Sequence, residues 1–449
     1  VENVARVAQA TSSWILATNK NKAVVIGHDC RFAGELFAET TAKVIAANGI
    51  KVFIAKGYVS TPMISFAALK CNTGAGVIIT ASHNPSSYNG YKLKGGYGGP
   101  LLEDDIAEVE KYIPAKSEHD LDAISLESLA VKGLLEYIDL ETMYCELLEK
   151  NFDLAVIRKS KFNFAYDGMY GSGQNVIKRL LPEIKTLHCE YNPLFGGIPP
   201  EPIHRNLQEF SAFIKNTGNI HCGLVTDGDA DRIGLYDGEG NFVDSHHILL
   251  LLIHYLHKYK GMTGKICTGF SSSVKIASLC KHYGLELEIV KIGFKHICGI
   301  MLKEDVLVGG EESGGIAVKG HIPERDGIWN GMLIFEAMEK IGKTLRELID
   351  EIYEITGSFA FERVDLSIPE TLKQQIIADC KNNKHTSFGK YKVERIETLD
   401  GFKYYFNESE WLMIRPSGTE PVLRTYAESY TKEEALEILR SARETLGIS

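Results

Sequence analysis

Four segments of the chain combine residue types that can do chemistry. The first runs Gly76-Val77-Ile78-Ile79-Thr80-Ala81-Ser82-His83-Asn84-Pro85 and continues to Asn89-Gly90-Tyr91-Lys92. An apolar run ends at a serine in a segment turned by Asn-Pro and Asn-Gly, which predicts a hydroxyl in a loop at a strand end, where ligands bind. The competing reading is a turn whose Ser and Asn cap backbone groups. Ser82 lacks the flanking glycines of a G-x-S-x-G hydrolase elbow. The second segment, Asp227-Gly228-Asp229-Ala230-Asp231-Arg232, follows the apolar Leu224-Val225. Carboxylates at alternate positions in one turn repel one another unless a cation neutralises them, and oxygen-only ligands favour Mg2+ over zinc. An EF-hand is excluded: counted from Asp227, the sixth position is Arg232 where Gly is needed, and the twelfth is Gly238 where Glu is needed. A solvated acidic turn is the plain alternative.

The third segment is Gly309-Gly310-Glu311-Glu312-Ser313-Gly314-Gly315. Its glycines let backbone approach a ligand, and its carboxylates and hydroxyl can bond sugar hydroxyls, although an ordinary glycine-rich turn reads the same. The fourth, Arg415-Pro416-Ser417-Gly418-Thr419-Glu420-Pro421, offers a guanidinium fork, hydroxyls and backbone N–H groups as an anion cradle; its plain alternative is a proline-bounded loop. Nucleotide-binding glycine motifs do not follow any strand pattern.

The elements around these segments repeat one layout. Ala23 to Ile26 is a β-branched run, followed by a helical pattern from Gly34 to Ala47 and a second apolar stretch from Lys51 to Ala55, a unit that predicts a parallel sheet. Phe162 to Tyr166 and Lys265 to Thr268 open similar units, so three divergent copies are expected. Polar seams are read at Asn151 to Lys161 and near Met262-Thr263-Gly264. Beyond Gly357 strands and helices mix without that regularity, predicting a separate α+β domain.

Composition sets the class. The 449 residues, 44% hydrophobic and 24% charged, predict roughly three folded domains, and the longest aliphatic run, Ile248 to Ile253, is too short to cross a bilayer. A formal charge of −10 disfavours a broad nucleic-acid or membrane surface, so an anionic ligand needs a locally basic pocket. Nine cysteines without a CxxC pair fit a reducing, cytoplasmic location.

Taken in order, the four segments resemble the signature loops of the α-D-phosphohexomutases over nearly the whole chain. The resemblance implies an α/β protein of three similar mixed-sheet α/β/α domains, 1–153, 154–260 and 261–358, with a smaller α+β domain, 359–449, around a central cleft. It implies one strand and one loop preceding Val1. Ser82 would carry a phosphoryl group, with Asp227, Asp229 and Asp231 holding Mg2+ together with a phosphoserine oxygen. The enzyme would interconvert hexose 1-phosphate and hexose 6-phosphate through a bisphosphosugar that turns over in the cleft. Arg415, Ser417, Gly418 and Thr419 would bind the second phosphate, Glu311 and Ser313 the sugar hydroxyls, with His321 and Arg232 also on the substrate. Acid/base candidates are Lys92, His83 and Lys295, with Arg31 beside the phosphoserine. Gly293-Phe294-Lys295 and His321 to Gly327 resemble the phosphoglucomutase pattern, so glucose phosphates are expected first. Mannose phosphates or dual specificity come second, and glucosamine phosphates are disfavoured by Glu312 and Gly315. A non-catalytic, mutase-like sugar-phosphate binder is the reading from another class.

Overall fold

The computed structural model describes residues 1–18, 20–417 and 421–448. The β-branched run at Ala23–His28 is fully covered except at its last residue, as expected of a strand with helices on both faces. It pairs parallel with Lys51–Ala55 on one side and Ala75–Ile79 on the other. Tyr91–Gly95 then returns antiparallel to Ala75–Ile79, and the sheet is completed by Gly99–Pro100 and Leu135–Ile138.

The second and third domains repeat that plan. Phe164–Asp167 lies parallel between Lys185–Leu187 and Cys222–Thr226, and Ile233–Asp237 returns antiparallel to Cys222–Thr226. Lys265–Gly269 lies parallel between Leu287–Val290 and Val306–Gly310, and Ile316–Val318 returns antiparallel to Val306–Gly310. Each of the first three chemical segments is therefore the same object, the connection from a parallel strand to its antiparallel neighbour. Because the side chains before each connection are buried in a rigid sheet, the loop that follows is held at a fixed position.

The fourth domain is a wholly antiparallel sheet in the order Ala360–Ser367, Val422–Ser429, Trp411–Pro416, Phe402–Tyr405, Arg395–Glu397. Helices Glu370–Lys381 and Lys432–Thr445 supply Ile376, Ile438 and Leu439 to its own core. By contrast, one continuous apolar core runs through the first three domains, from Val25 and Ile78 through Tyr166 and Leu224 to Phe335. Buried polar links reinforce it: Lys94 Nζ and Ser65 Oγ donate to Glu324 Oε2, and Tyr144 Oη and His321 share the Asp326 carboxylate.

Two stretches lie outside the repeated strand pattern. The Asn151 to Lys161 seam contains a short helix, Leu154–Arg158, whose Leu154 and Ile157 are buried, and Phe152 packs edge-on against Trp329. Its apolar residues join the core. Ahead of the first strand, helix Glu2–Ala17 covers the first sheet with Ala5, Ala8, Trp14 and Ile15. No helix among the described residues is long and apolar enough to cross a membrane.

Candidate active site

The loop after Ala75–Ile79 is held by a buried guanidinium. Arg31 Nη1 donates to the carbonyls of Pro85 and Tyr88, and Nη2 to those of Ser82 and Asn84, while Nε pairs with Asp29. Asp29 in turn accepts from Thr80 Oγ1, whose oxygen accepts the Ser82 N–H. Burial pushes the Asp29 carboxyl up to about 7 even though Arg31 opposes it. This clamp fixes Ser82 at φ 52°, a left-handed conformation uncommon for serine that turns its side chain toward the second domain.

There Ser82 Oγ donates to Asp227 Oδ2 at 2.7 Å. The close approach needs Gly228, since a Cβ at that position would stand 2.6 Å from the Ser82 carbonyl oxygen. Asp227, Asp229 and Asp231 are all fully buried, and one ligand oxygen from each lies within 4.8 Å of the others. Besides Oδ2 on Ser82, Asp227 has Oδ1 committed to the N–H groups of Asp231 and Arg232, whereas the other two carboxylates commit one oxygen each: Asp229 Oδ2 accepts from Thr61 and Lys92, and Asp231 Oδ2 pairs with Arg325. Asp229 Oδ1 and Asp231 Oδ1 have no hydrogen-bond partner among the described residues. Orphaned buried acceptors are costly and call for an occupant. Those two open oxygens, with Asp227 Oδ2 beside the serine, fit an oxygen-liganded divalent cation, and a solvated acidic turn does not describe residues with no exposure.

The electrostatics agree. Burial, with Asp229 and Asp231 alongside, pushes the Asp227 carboxyl well above its usual range. At Asp229 burial acts the same way, but Lys92 and Thr61 outweigh it and hold the carboxyl well below its usual range. Lys92 Nζ sits 2.8 Å from Asp229 Oδ2 and 3.8 Å from Asp231 Oδ2; burial works against its charge, yet the two carboxylates raise its pKa. His83 is the opposite case: burial, then the positive charge of Arg232, pull it down to about 2, leaving a neutral imidazole 3.5 Å from Ser82 Oγ.

The second and third loops touch directly. Arg232 forms a backbone bridge with Gly315, and the Ile233 N–H donates to the Gly314 carbonyl. Glu311 is buried and accepts the Gly293 N–H, and burial raises its carboxyl above the ordinary value. Ser313 lies half-buried in the same turn, and Glu312 Oε2 is buried without a hydrogen-bond partner among the described residues. Arg232 carries its guanidinium 3.9 Å from Glu201.

Two expected residues lie elsewhere. Lys295 extends from the third domain to Glu103 of the first, 2.8 Å away at the surface. His321, expected on the substrate, is stacked at 3.9 Å on Trp329 with Nε2 on Asp326 and its side chain 2% exposed, so it packs the third domain instead. Conversely, Thr61 and Arg325 both hold the acidic cluster and were not singled out by sequence. Arg325 stands inside the His321 to Gly327 segment; its pairing across 94 positions reveals its place.

At the fourth loop, Arg415 Nε pairs with Asp400 Oδ1 at 3.2 Å, and Asp400 Oδ2 accepts the Ile292 N–H of the third domain. Arg415 and Pro416 border a cavity of about 580 Å3. Ser417 N–H donates to the Val422 carbonyl, closing the hairpin. Gly418 and Thr419 lie outside the described residues.

Known proteins bear on the whole assembly. Models described as phosphoglucomutase/phosphomannomutase alpha/beta/alpha domains I, II and III match residues 1–120, 142–240 and 244–355, and the C-terminal domain model matches 374–445. A Thermococcus kodakarensis protein named phosphoglucomutase/phosphomannomutase is 30% identical over 93% of this chain and 88% of its own. A Methanococcus maripaludis phosphoglucosamine mutase is likewise 30% identical, over 95% of this chain and 92% of its own. The crystal structure of a Thermus thermophilus protein assigned as a phosphomannomutase superposes with a TM-score of 0.87 at 30% identity, covering 99% of this chain and 95% of that one.

Fold, loop order and relatives together define a phosphomutase, an isomerase that relocates a phosphoryl group on its substrate. The chain belongs to the α-D-phosphohexomutase family.

Proposed function

We propose that this enzyme interconverts hexose 1-phosphate and hexose 6-phosphate through a phosphoserine at Ser82, with glucose as the hexose. The observation that carries the reading is the Ser82 hydroxyl placed on Asp227 beside the open oxygens of Asp229 and Asp231. Asp227, Asp229, Asp231 and an oxygen on Ser82 would hold Mg2+, which supplies positive charge beside the transferring phosphoryl group.

The other parts follow from chemistry already in place. The bond from Ser82 Oγ to phosphorus breaks as a sugar hydroxyl bonds the phosphorus, so the sugar hydroxyl loses a proton and Ser82 Oγ gains one. Lys92, held charged on the acidic cluster, is the favoured proton carrier: it can give a proton toward the Ser82 oxygen and be recharged by the sugar hydroxyl, while the neutral His83 can accept or donate a hydrogen bond at Ser82. Lys295, paired with Glu103, is not favoured. Arg31 has spent its donors on the loop and acts by positioning Ser82. Glu311 and Ser313 receive sugar hydroxyls, Arg232 lines the join between the second and third loops, and Arg415 with Ser417, Gly418 and Thr419 receives the distal phosphate after the bisphosphosugar turns over.

A second reading takes glucosamine phosphate as substrate. It is favoured by the phosphoglucosamine mutase named above and by the unpartnered Glu312 Oε2, which could meet a sugar ammonium. A coupled assay with Mg2+ and a bisphosphosugar, comparing glucose, mannose and glucosamine 1-phosphates, tests both. Highest turnover on glucose 1-phosphate supports the first, highest turnover on glucosamine 1-phosphate the second, and turnover of none contradicts the reaction.

A further inference from the structure

Arg325 follows Glu324, whose side chain is locked on Lys94 and Ser65 of the first domain, so its own backbone is anchored in the core. From there its guanidinium reaches two loops at once. Nη2 pairs with Asp231 Oδ2 in the acidic cluster, and Nη1 lies 3.7 Å from Glu311 Oε2 in the third loop. The ring of Phe294 lies beside it at 5.4 Å, restricting the plane of the fork. Gly315 leaves room for it, because a Cβ there would stand 2.3 Å from Arg325 Cδ. The side chain is 16% exposed, so it keeps some contact with solvent. Nε finds no hydrogen-bond partner among the described residues, so the polar reach of this side chain goes to carboxylates of the site.

We propose that Arg325 is a positioning residue that sets the sugar loop against the metal loop. One planar cation shared by Asp231 and Glu311 fixes the separation between the carboxylates that hold the ion and the carboxylate that holds the sugar. A lysine cannot do the same, since a single ammonium replaces two divergent N–H ends. The proposal rests on the reading of the three aspartates as an ion site and Glu311 as a sugar ligand.

The test is a double-mutant cycle with Arg325→Lys and Glu311→Gln, read by calorimetric titration of MgCl2 and then of glucose 1-phosphate into dephosphorylated protein. Arg325→Lys should bind Mg2+ within about three-fold of the parent, because a charge remains beside Asp231, while glucose 1-phosphate binding weakens about ten-fold or more. Combining the two substitutions should weaken sugar phosphate binding no more than about three-fold beyond the worse single change, because both remove one link. Thermal unfolding confirms that each variant folds, and Arg325→Met takes the place of a lysine variant that does not. Sugar phosphate binding within about two-fold of the parent in Arg325→Lys, or effects that multiply in the double variant, would overturn the proposal. A parent that binds no Mg2+ contradicts the ion-site reading itself, and the positioning role falls with it.

Discussion

Ser82 and Asp227 stand 145 positions apart in the chain, in two different domains, and meet at 2.7 Å. Neither side chain reaches the other by local geometry. The first depends on the left-handed turn that Arg31 clamps, the second on a buried strand end and the close packing that Gly228 permits.

Arg31 should therefore matter through the loop. Arg31→Met strips four carbonyls of their donor and leaves Asp29 buried without its charged partner. The expected cost is about 3–5 kcal/mol of stability, read by chemical denaturation, with kcat falling more than KM rises. Unchanged stability would contradict the clamp.

The acidic cluster should be an ion site. Asp229→Asn and Asp231→Asn each leave the fold intact while weakening Mg2+ binding about ten-fold or more by calorimetry, with turnover falling in parallel. Chelation of the parent should abolish turnover and Mg2+ should restore it. Full activity in chelator would contradict the assignment.

The junction of the third and fourth domains should respond to pH. Glu428 and Lys403 are buried there, and Lys403 Nζ donates to the Phe270 and Ser272 carbonyls. Burial raises Glu428 from 4.5 to about 7, opposed by the ammonium groups of Lys403 and Lys275. Burial likewise lowers Lys403 to about 7, opposed by Glu428. A folded pKa above the unfolded one means that the Glu428 contribution is whole below 4.5 and lost as pH rises through about 7. The Lys403 contribution is lost as pH falls from alkaline values toward about 7, so it is nearly flat on the acid side of that value. Between about pH 5 and about pH 7 the parent should lose up to about 3 kcal/mol that Glu428→Gln does not lose, measured by paired denaturation curves. Equal pH slopes in parent and variant would contradict it.

The loop-bearing hairpins were legible because each couples an apolar strand to a short run of Gly, Asp, Ser or Asn, and helix Gly34–Ala47 was readable from its period. What stayed hidden has physical causes. Helix Glu2–Ala17 buries Thr11 and Ser12, whose hydroxyls bond back to the Val7 and Ala8 carbonyls, so its inner face does not read as apolar. His321 carries a polar ring that the Trp329 face and Asp326 satisfy inside the core, which no local pattern separates from a ligand-binding histidine. Arg325 and Thr61 reach the acidic cluster through partners 94 and 168 positions away.

The most direct test of the central claim is the phosphate on Ser82. Intact mass and peptide mapping, before and after incubation with glucose 1,6-bisphosphate and Mg2+, should show one added phosphate on the peptide containing Ser82. Ser82→Ala should show none and no mutase activity. A phosphate on another residue, or full activity in Ser82→Ala, would contradict the account.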